Sequence, residues 1–319
     1  MKIELKTVYG PHPSRCFGLS LGIDPLMPPK RCPYDCIYCP LGRTVIRTTQ
    51  PSLLVKPESV LNDLKKFIEE NGIVFEAITI WGLGDPLLNY NIALLVNSVR
   101  EVLREYECNV PIIVRTTGFN IGSSWIKPLL PLVDYIVIPV DLPSTLRKIY
   151  INPAPNLKFT DIVSSVRSID KAYRDKFIVE VNLFRFENFT NATAIILNEL
   201  IADIKSLHID KVLIKTVNRV PKDRRVKPVR GKLINKVVEG FTEEGFSVDM
   251  CKDRNYGKIT LVNIELGLIN HLARKPLKTS EIHYLYGPRG VALAEDLVRR
   301  GLAEKINWEK AVYFRLKNI

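Results

Sequence analysis

Three cysteines stand close together near the start of the chain, at Cys32, Cys36 and Cys39. Their C-x3-C-x2-C spacing allows one loop to supply thiolates to three irons of a [4Fe–4S] cluster, whose full ligation takes four cysteines. The next cysteine downstream is Cys108, so the sequence predicts that the fourth iron has no protein ligand. An open coordination position is typical of catalytic metal sites, whereas structural sites are closed.

The residue before the last of these cysteines is aromatic, Tyr38. With it, the motif resembles that of the radical S-adenosylmethionine superfamily. The resemblance implies that the amino and carboxylate groups of S-adenosylmethionine fill the open iron position. It also implies that an electron from the cluster, supplied by an external donor, cleaves the sulfonium. The 5′-deoxyadenosyl radical that results would then abstract a hydrogen atom from a substrate.

A structural zinc site is the alternative interpretation of the same three cysteines. Zinc is commonly held by four Cys or His side chains, and a distant residue can complete the set. The chain offers Cys16, Cys108, Cys251 and four histidines for that position. The surroundings of the motif favour the cluster, because a motif gains weight when its context agrees with it.

A glycine-rich turn, Trp-Gly-Leu-Gly-Asp-Pro at residues 81–86, follows the second predicted strand. Glycine lets the backbone approach a ligand closely, and a carboxylate accepts hydrogen bonds from an ammonium group. The superfamily has a Gly-Gly-Glu-like motif here that binds the methionine amino group. Gly84 and Asp85 match it, with Asp where Glu is commoner. An ordinary strand-ending turn is the alternative.

Two further polar residues lie at the ends of later strands, Asp141 and Asn182. Residues 140–153 resemble the Asp-Ala-Pro … Ile-Asn-Arg-Pro stretch of the radical enzymes that make the tricyclic wyosine base in tRNA. Asp141 would contact ribose hydroxyls of S-adenosylmethionine or the substrate, or would only cap the next segment. Asn182 is a candidate for the methionine carboxylate. The alternative is an Asn satisfied within the core, since a buried polar residue needs a partner.

Positive charge is concentrated in residues 211–236, which hold ten Lys or Arg against one Asp. The middle of this stretch leaves the carboxyl end of the sixth predicted strand, where open α/β sheets bind ligands. Such a loop would attract and hold a phosphate backbone, or would simply be a solvated basic loop. The residues predicted to bind RNA or another phosphorylated substrate are Arg219, Lys222, Arg224, Arg225 and Lys227.

Short apolar segments alternate with amphipathic segments over most of the chain. The predicted strands are residues 19–23, 77–81, 112–115, 135–140, 177–184 and 211–217. The predicted helices are residues 57–70, 92–103, 124–132, 161–172, 194–207 and 233–244. This order is typical of a parallel sheet covered by helices, and six units are too few for a closed eight-stranded barrel. The sequence therefore predicts an α/β fold with an open (βα)6 partial TIM barrel, which the superfamily usually has.

The end of the chain has a different pattern. Residues 246–257 are predicted to be a linker, followed by three short helices (264–272, 280–285 and 291–300) and a hairpin of residues 302–306 and 312–316. This order resembles a winged helix-turn-helix, which binds nucleic acid or docks a protein. The predicted domains are residues 1–250, the barrel, and 258–319, a winged-helix-like domain.

Composition sets the broad class of the protein. The chain has 319 residues, 46% of them hydrophobic, and a formal net charge of +12 that favours a polyanionic partner. Six cysteines with three clustered do not resemble a secreted disulfide framework, and a thiolate cluster needs a reducing compartment. The first residues lack a signal-peptide core, and no apolar run reaches about 18 residues. We therefore expect a cytoplasmic protein with no membrane partner.

Together these features predict a radical S-adenosylmethionine enzyme whose leading candidate substrate is tRNA. The wyosine-forming enzymes carry a second cluster on extra upstream cysteines, whereas this chain has only Cys16 upstream, so their activity is not assigned. One alternative is a non-catalytic cluster protein that senses redox state and binds nucleic acid. Another is an activase that places a radical on a partner protein docked at the C-terminal module.

Overall fold

The structure, a computed structural model, describes residues 5–252, 259 and 261–317. Its β-strands are short, and most of them belong to one large sheet. In chain order they are β1 (Val8–Ser14), β2 (Gly18–Ile23), β3 (Arg31–Cys32), β4 (Ile46–Arg47), β5 (Ala77–Ile80), β6 (Ile112–Arg115), β7 (Tyr135–Pro139), β8 (Phe177–Phe186), β9 (Phe189–Thr190), β10 (Lys211–Thr216), β11 (Val226–Pro228), β12 (Ser247–Met250), β13 (Leu277–Lys278), β14 (Ala303–Trp308) and β15 (Ala311–Leu316).

Helices connect most of the strands of the large sheet. The α-helices are α1 (Pro57–Asn71), α2 (Ile92–Glu105), α3 (Arg147–Tyr150), α4 (Phe159–Arg167), α5 (Ala194–Lys205), α6 (Lys232–Glu243), α7 (Ile264–Arg274) and α8 (Thr279–Arg299). Short 3-10 helices cover Pro86–Leu88, Lys127–Leu132 and Lys171–Lys176. Among the helices of the described residues, none combines the length and the apolar character that a membrane crossing requires.

The large sheet curls into a half barrel. Within the described residues its main path has eight strands in the order β1-β2-β5-β6-β7-β8-β10-β12. β1 is antiparallel to β2, and every other neighbouring pair on this path is parallel. The six predicted strands correspond to β2, β5, β6, β7, β8 and β10, so the predicted α/β partial barrel is confirmed.

Alternate residues of the parallel strands face the inside of the half barrel and form layers, because side chains alternate between the faces of a sheet. The first layer is apolar and consists of Ala77, Ile113, Val137, Ile178 and Leu213. The next layer, two residues further along each strand, lines a cavity and consists of Thr79, Arg115, Pro139, Glu180 and Lys215. The side chains between them, such as Ile78 and Val114, belong to the large apolar core.

Both ends of the sheet differ from the sequence-based expectation. β1 was not predicted, since Pro11 and Pro13 argue against a strand, but an edge strand tolerates proline. The predicted linker at 246–257 is wrong for residues 247–250, which form β12 parallel to β10; residues 253–257 lie outside the described residues. β12 is mostly exposed, so it has no apolar pattern to mark it. Just beyond it, Cys251 forms a disulfide with Cys16 in the turn between β1 and β2.

One predicted helix is also wrong in type. Residues 124–132 begin with a turn and continue as the 3-10 helix Lys127–Leu132. Pro128 and Pro131 lie inside it, and proline lacks the N–H that an α-helix uses for its hydrogen bonds. The segment still buries Leu129 and Leu130, which explains the apolar spacing that suggested an α-helix.

The C-terminal segment has the predicted three helices and hairpin. α8 contains a break at Gly287, where φ is +65°, and this divides it into the second and third predicted helices. β13 pairs with the hairpin β14–β15 to give a three-stranded sheet. The segment is built around a second apolar core, which includes Leu268, Leu285 and Phe314 together with Leu19 of β2. Its assignment as a winged-helix domain stays a prediction, and the boundary proposed between 250 and 258 falls largely outside the described residues.

Buried contacts hold this segment against the barrel. Arg274 of α7 pairs with Asp24, which follows β2, with Nε and Oδ2 3.0 Å apart and both side chains fully buried. Arg274 also donates through Nη2 to the carbonyl of Lys6. At the other side, Trp308 Nε1 donates to the carbonyl of Val226. The C-terminal segment is therefore fixed to both the first strands and the basic stretch.

Candidate functional site

A cavity of about 230 Å³ lies inside the half barrel, where the parallel strands end. This is the edge at which open α/β sheets bind ligands. Residues from the cysteine loop, the strand ends and the C-terminal segment line it. Of the residues predicted as site residues, those in its wall are Cys32, Cys36, Tyr38, Cys39, Gly84, Asp85, Asp141, Asn182 and Arg219.

The glycine turn and the cysteine loop are in direct backbone contact. Arg31 donates from its N–H to the carbonyl of Leu83 at 2.9 Å, and Asp85 donates to the carbonyl of Arg31 at 3.1 Å. Gly84 has φ +133°, and a Cβ there would lie 1.5 Å from the Arg31 carbonyl oxygen. Glycine is therefore required at position 84, because any side chain would push the turn away from Cys32.

Residues 147–154 hold the other side of the cysteine loop. The backbone N–H of Asp35 donates to the carbonyl of Ile151 at 2.9 Å. Arg147 is buried and donates through Nη2 to the hydroxyl of Tyr34 at 2.6 Å. The guanidinium also lies over the Tyr34 ring. The stretch that resembles the wyosine-forming enzymes therefore positions the cysteine loop.

The three thiols share this cavity with a buried cation. Nζ of Lys30 lies 3.2 Å from Sγ of Cys39 and donates to the carbonyl of Gly42 at 2.7 Å. Burial lowers the pKa of Lys30, but the negative charge of the cysteines outweighs this effect, so the pKa lies above its ordinary value. Burial raises the pKa of the Cys36 thiol to about 12, so its thiolate needs positive charge nearby, as a bound metal supplies.

The donor set at this loop is three thiols, which are chemically suited to ligate an iron–sulfur cluster. Within residues 5–252, 259 and 261–317, no three His, Cys, Asp or Glu side chains are arranged to hold one metal ion. A [4Fe–4S] cluster places each thiolate on a different iron, so its ligands need not converge on one point. Cys16 and Cys251, which were candidates to complete a zinc site, are bonded to each other.

Asp85 uses its carboxylate to fix the glycine turn to the end of β6. It accepts hydrogen bonds from Thr116 Oγ1 at 2.9 Å, from the N–H of Thr117 at 2.7 Å and from the N–H of Leu87 at 3.0 Å. Burial raises its pKa despite these donors. Because these donors occupy the carboxylate, the backbone of the turn is left to contact a ligand. The predicted role of Gly84 and Asp85 toward the methionine amino group stays a prediction.

Asp141, Tyr38 and Asn182 form a connected group in the cavity wall. The Asp141 carboxylate accepts from the N–H of Asn182 at 2.6 Å and from the hydroxyl of Tyr38. Burial raises the pKa of Asp141 to about 6. The Asn182 Oδ1 is buried and has no hydrogen-bond partner in the described part of the chain. A buried acceptor of this kind needs a donor, such as an ammonium or hydroxyl group, and a carboxylate does not supply one. The predicted role of Asn182 toward the methionine carboxylate stays a prediction.

The sequence-based interpretation missed a charged group at the centre of the cavity. Glu180 of β8 pairs with Arg115 of β6 at 2.5 Å and with Lys215 of β10 at 2.6 Å. Burial lowers the pKa of Lys215 to about 8. Each of the three residues interrupts a strand of apolar residues, and that signal was present in the sequence. Lys215 was counted as part of the basic stretch rather than as a residue of the barrel interior.

The residues predicted to bind RNA are engaged in ion pairs. Arg219 lies in the cavity wall, whereas the other four lie outside it. The pairs are Arg219 with Glu281, Lys222 with Asp35, Arg224 with Glu304, Arg225 with Asp223 and Glu187, and Lys227 with Glu309. The positive charge of this stretch is therefore lower than a count along the sequence indicates. Binding of RNA by these residues stays a prediction.

Comparison with known proteins gives similar proteins over nearly the whole chain. The UPF0026 protein MJ1312 of Methanocaldococcus jannaschii is 26% identical over 323 residues, which cover 98% of this chain and 96% of that protein. The GTPase Obg of Brachyspira hyodysenteriae is 24% identical over 280 residues, and this match covers 86% of the chain but 39% of the GTPase. The chain therefore spans less than half of that second relative.

A solved structure shows a shared fold, and a family model shows the superfamily. A radical SAM methyltransferase from Sphaerobacter thermophilus superposes with a TM-score of 0.51 at 15% identity, covering 72% of this chain and 65% of that one, which shows a shared fold. The model of the Radical SAM superfamily matches residues 26–189, which include the cysteine loop and the ends of β5 to β8. The chain belongs to the Radical SAM superfamily.

Proposed function

We propose that this protein is a radical enzyme that holds a [4Fe–4S] cluster through Cys32, Cys36 and Cys39 and binds S-adenosylmethionine beside it. Superfamily membership supports a SAM-cleaving enzyme. The cavity supports the assignment of the cluster ligands and of the S-adenosylmethionine site. Three thiols share its wall with the glycine turn at Gly84 and with Oδ1 of Asn182, which has no hydrogen-bond partner among the residues that the structure describes.

When bound, the cluster would supply the electron that cleaves S-adenosylmethionine to a 5′-deoxyadenosyl radical able to abstract hydrogen from a substrate. The chain's own residues hold the site in place. Gly84 lets the turn lie against the cysteine loop, and Lys30 offsets the negative charge of the thiolates. Asn182 Oδ1 is positioned to accept a hydrogen bond from the cofactor, since the Asp141 carboxylate fixes the backbone of Asn182.

RNA is the proposed macromolecular substrate, with tRNA as the first to test. The net charge of +12 supports it, and so does the exposure of Arg224 and Arg225, whose side chains are 59% and 62% accessible. Exposed ion pairs are weak, so a polyphosphate can compete for these guanidinium groups. The cavity mouth and this surface are linked through Lys222, which pairs with Asp35 of the cysteine loop.

The test is anaerobic. The protein is reconstituted with iron and sulfide, reduced and mixed with S-adenosylmethionine, and 5′-deoxyadenosine is measured by chromatography with and without total tRNA. Asn182→Ala should raise the S-adenosylmethionine concentration for half-maximal turnover about tenfold, because a ligand donor loses its acceptor. Asn235→Ala, on the exposed side of α6, is the matched control. A cluster that forms without any 5′-deoxyadenosine, even with tRNA, would support the redox-sensor alternative instead.

A further inference from the structure

The C-terminal segment contributes a cation to the cavity. Lys275 follows α7 directly, and its side chain lines the cavity wall together with strand-end residues. It is half-buried, and its Nζ makes no hydrogen bond or ion pair with any residue that the structure describes. An ammonium group held in a cavity without a partner is costly, so this position needs an explanation.

Two further hydrogen-bonding groups in the same wall are incompletely satisfied. Arg219 is 6% exposed; its Nη1 is used by Glu281 and by the carbonyl of Pro276, while its Nε has no partner in the described part of the chain. His12 of β1 is 5% exposed, and its Nδ1 likewise has no partner there. The His12 ring is stacked on Tyr9, with centroids 6.1 Å apart and planes 4° apart, so its orientation is fixed.

These groups repel one another electrostatically. Burial lowers the pKa of Lys275, and the charge of Arg219 lowers it further. Burial also lowers the pKa of His12, with Lys275 the largest charge acting on it. The nearby carboxylates are already engaged, Glu281 by Arg219 and Glu180 by Arg115 and Lys215. A bound anion would therefore gain attraction from cations that no protein carboxylate neutralises fully.

We propose that Lys275, Arg219 and His12 form an oxyanion subsite that holds a carboxylate or phosphate group of the substrate. This subsite rests on the proposed function, because it places the substrate in the cavity that would also hold S-adenosylmethionine. The chemistry of the three side chains is suitable, since lysine offers a mobile charge, arginine offers oriented N–H donors and histidine can donate from Nδ1. The C-terminal segment would then select the substrate in addition to covering the barrel.

The experiment measures anion binding and needs no turnover. The full chain, reconstituted anaerobically, is titrated with inorganic phosphate and separately with acetate, once without S-adenosylmethionine and once at a saturating concentration of it. Fluorescence of Trp81, which lines the cavity, and calorimetry report binding. We expect one site per chain in the wild type, and the tighter of the two anions identifies the group that the substrate carries.

Variants locate the site. Lys275→Gln should weaken anion binding at least tenfold, because charge-assisted hydrogen bonds are about twice as strong as neutral ones. His12→Gln, in β1, should weaken anion binding several-fold. This variant still tests the subsite if Lys275→Gln does not fold. Lys236→Gln removes the same charge from the exposed side of α6 and should have no effect.

Four results would overturn the subsite. Three of them are no anion binding in the wild type, an affinity in both Lys275→Gln and His12→Gln equal to that of the wild type, and a reduction in Lys236→Gln as large as that in Lys275→Gln. Displacement of the anion by S-adenosylmethionine would also overturn it, since the cations would then serve the methionine carboxylate. Formation of 5′-deoxyadenosine by the wild type tests the proposed function separately. If the wild type forms no 5′-deoxyadenosine, the anion titration is still valid. The proposed function and the oxyanion subsite can therefore fail independently.

Discussion

The cysteine loop at residues 30–43 and the basic stretch at residues 211–236 place their reactive side chains in different environments. The thiols of the loop line one cavity together with Lys30. The basic side chains disperse, with Lys215 inside the barrel, Arg219 at the C-terminal segment and Arg225 on the surface. Ligand spacing within one loop defines a local geometry. A run of charged residues does not define a local geometry, because the partners of these residues can lie anywhere in the sequence. Glu304, for example, is the partner of Arg224.

Burial separates two kinds of ion pair in energy as well. Pairs among buried groups, such as Asp24 with Arg274, depend strongly on both partners, because an uncompensated buried charge is costly. Exposed pairs such as Arg225 with Glu187 contribute about 0–1 kcal/mol. The basic stretch contains both kinds of charge, so its residues should respond to substitution very unequally.

The largest effect is expected at the cysteine loop. Replacing Cys32, Cys36 or Cys39 by Ala should abolish the brown cluster absorbance and all 5′-deoxyadenosine formation, because each thiolate would hold a different iron of the proposed cluster. Optical absorbance after anaerobic reconstitution is the measurement. Cys108→Ala, at a free cysteine outside the cavity wall, is the control and should keep both signals. Retention of the cluster in all three variants would remove the loop from the site.

The next effect concerns the buried pair that fixes the C-terminal segment. Asp24→Asn leaves the fully buried Arg274 without a counter-charge and should lower the free energy of unfolding by about 3–5 kcal/mol. Chemical denaturation measures this. Glu244→Gln breaks the exposed pair of Glu244 with Lys205 and should cost about 0–1 kcal/mol. Equal losses in both variants would show that burial does not decide the strength of these pairs.

Much of the architecture could be predicted from the sequence, because the six inner strands are mostly apolar. The cysteine loop and the polar strand ends could also be predicted, because the residues of each motif are close together in the sequence. The pairing of Asp24 with Arg274 could not be, since 250 residues separate them. The group of Arg115, Glu180 and Lys215 was missed because it depends on the register of three strands. Edge strand β12 was missed because pairing, rather than an apolar pattern, defines it.

A third prediction compares two lysines of the same strand. Burial lowers the pKa of Lys215 to about 8, whereas an unfolded chain keeps its lysines protonated to about pH 10.4. Between these values the unfolded state binds the extra proton, so the free energy of unfolding rises with pH. Between pH 8 and pH 10.5 the free energy of unfolding of the wild type should rise by about 3 kcal/mol relative to that of Lys215→Met. Chemical denaturation at each pH measures this difference.

The matched control is Lys211→Met, at the exposed start of β10. It should show the same pH dependence as the wild type, because its side chain is in solvent. If the difference in free energy of unfolding between the wild type and Lys215→Met does not change from pH 8 to pH 10.5, Lys215 keeps its proton when the chain folds. It would then act as a permanent charge in the cavity.

The smallest effect on stability is expected at the surface of the basic stretch. Reversing the charge of Arg224 and Arg225 to Glu should change the free energy of unfolding by about 1 kcal/mol or less, because both side chains are largely exposed. If this surface holds RNA, the same variant should bind tRNA several-fold more weakly. The slope of log K against log salt should also flatten by about 0.7–0.9 for each phosphate that the variant no longer neutralises.

The control reverses two exposed charges elsewhere, Lys66 and Arg104 on the outer helices α1 and α2. It changes the net charge by the same amount, so a general electrostatic attraction would weaken equally in both variants. Weaker binding confined to the Arg224 and Arg225 variant would locate RNA on this surface despite the ion pairs there. Unchanged tRNA binding would mean that this surface does not hold RNA, and that Arg224 serves only to contact the C-terminal segment through Glu304.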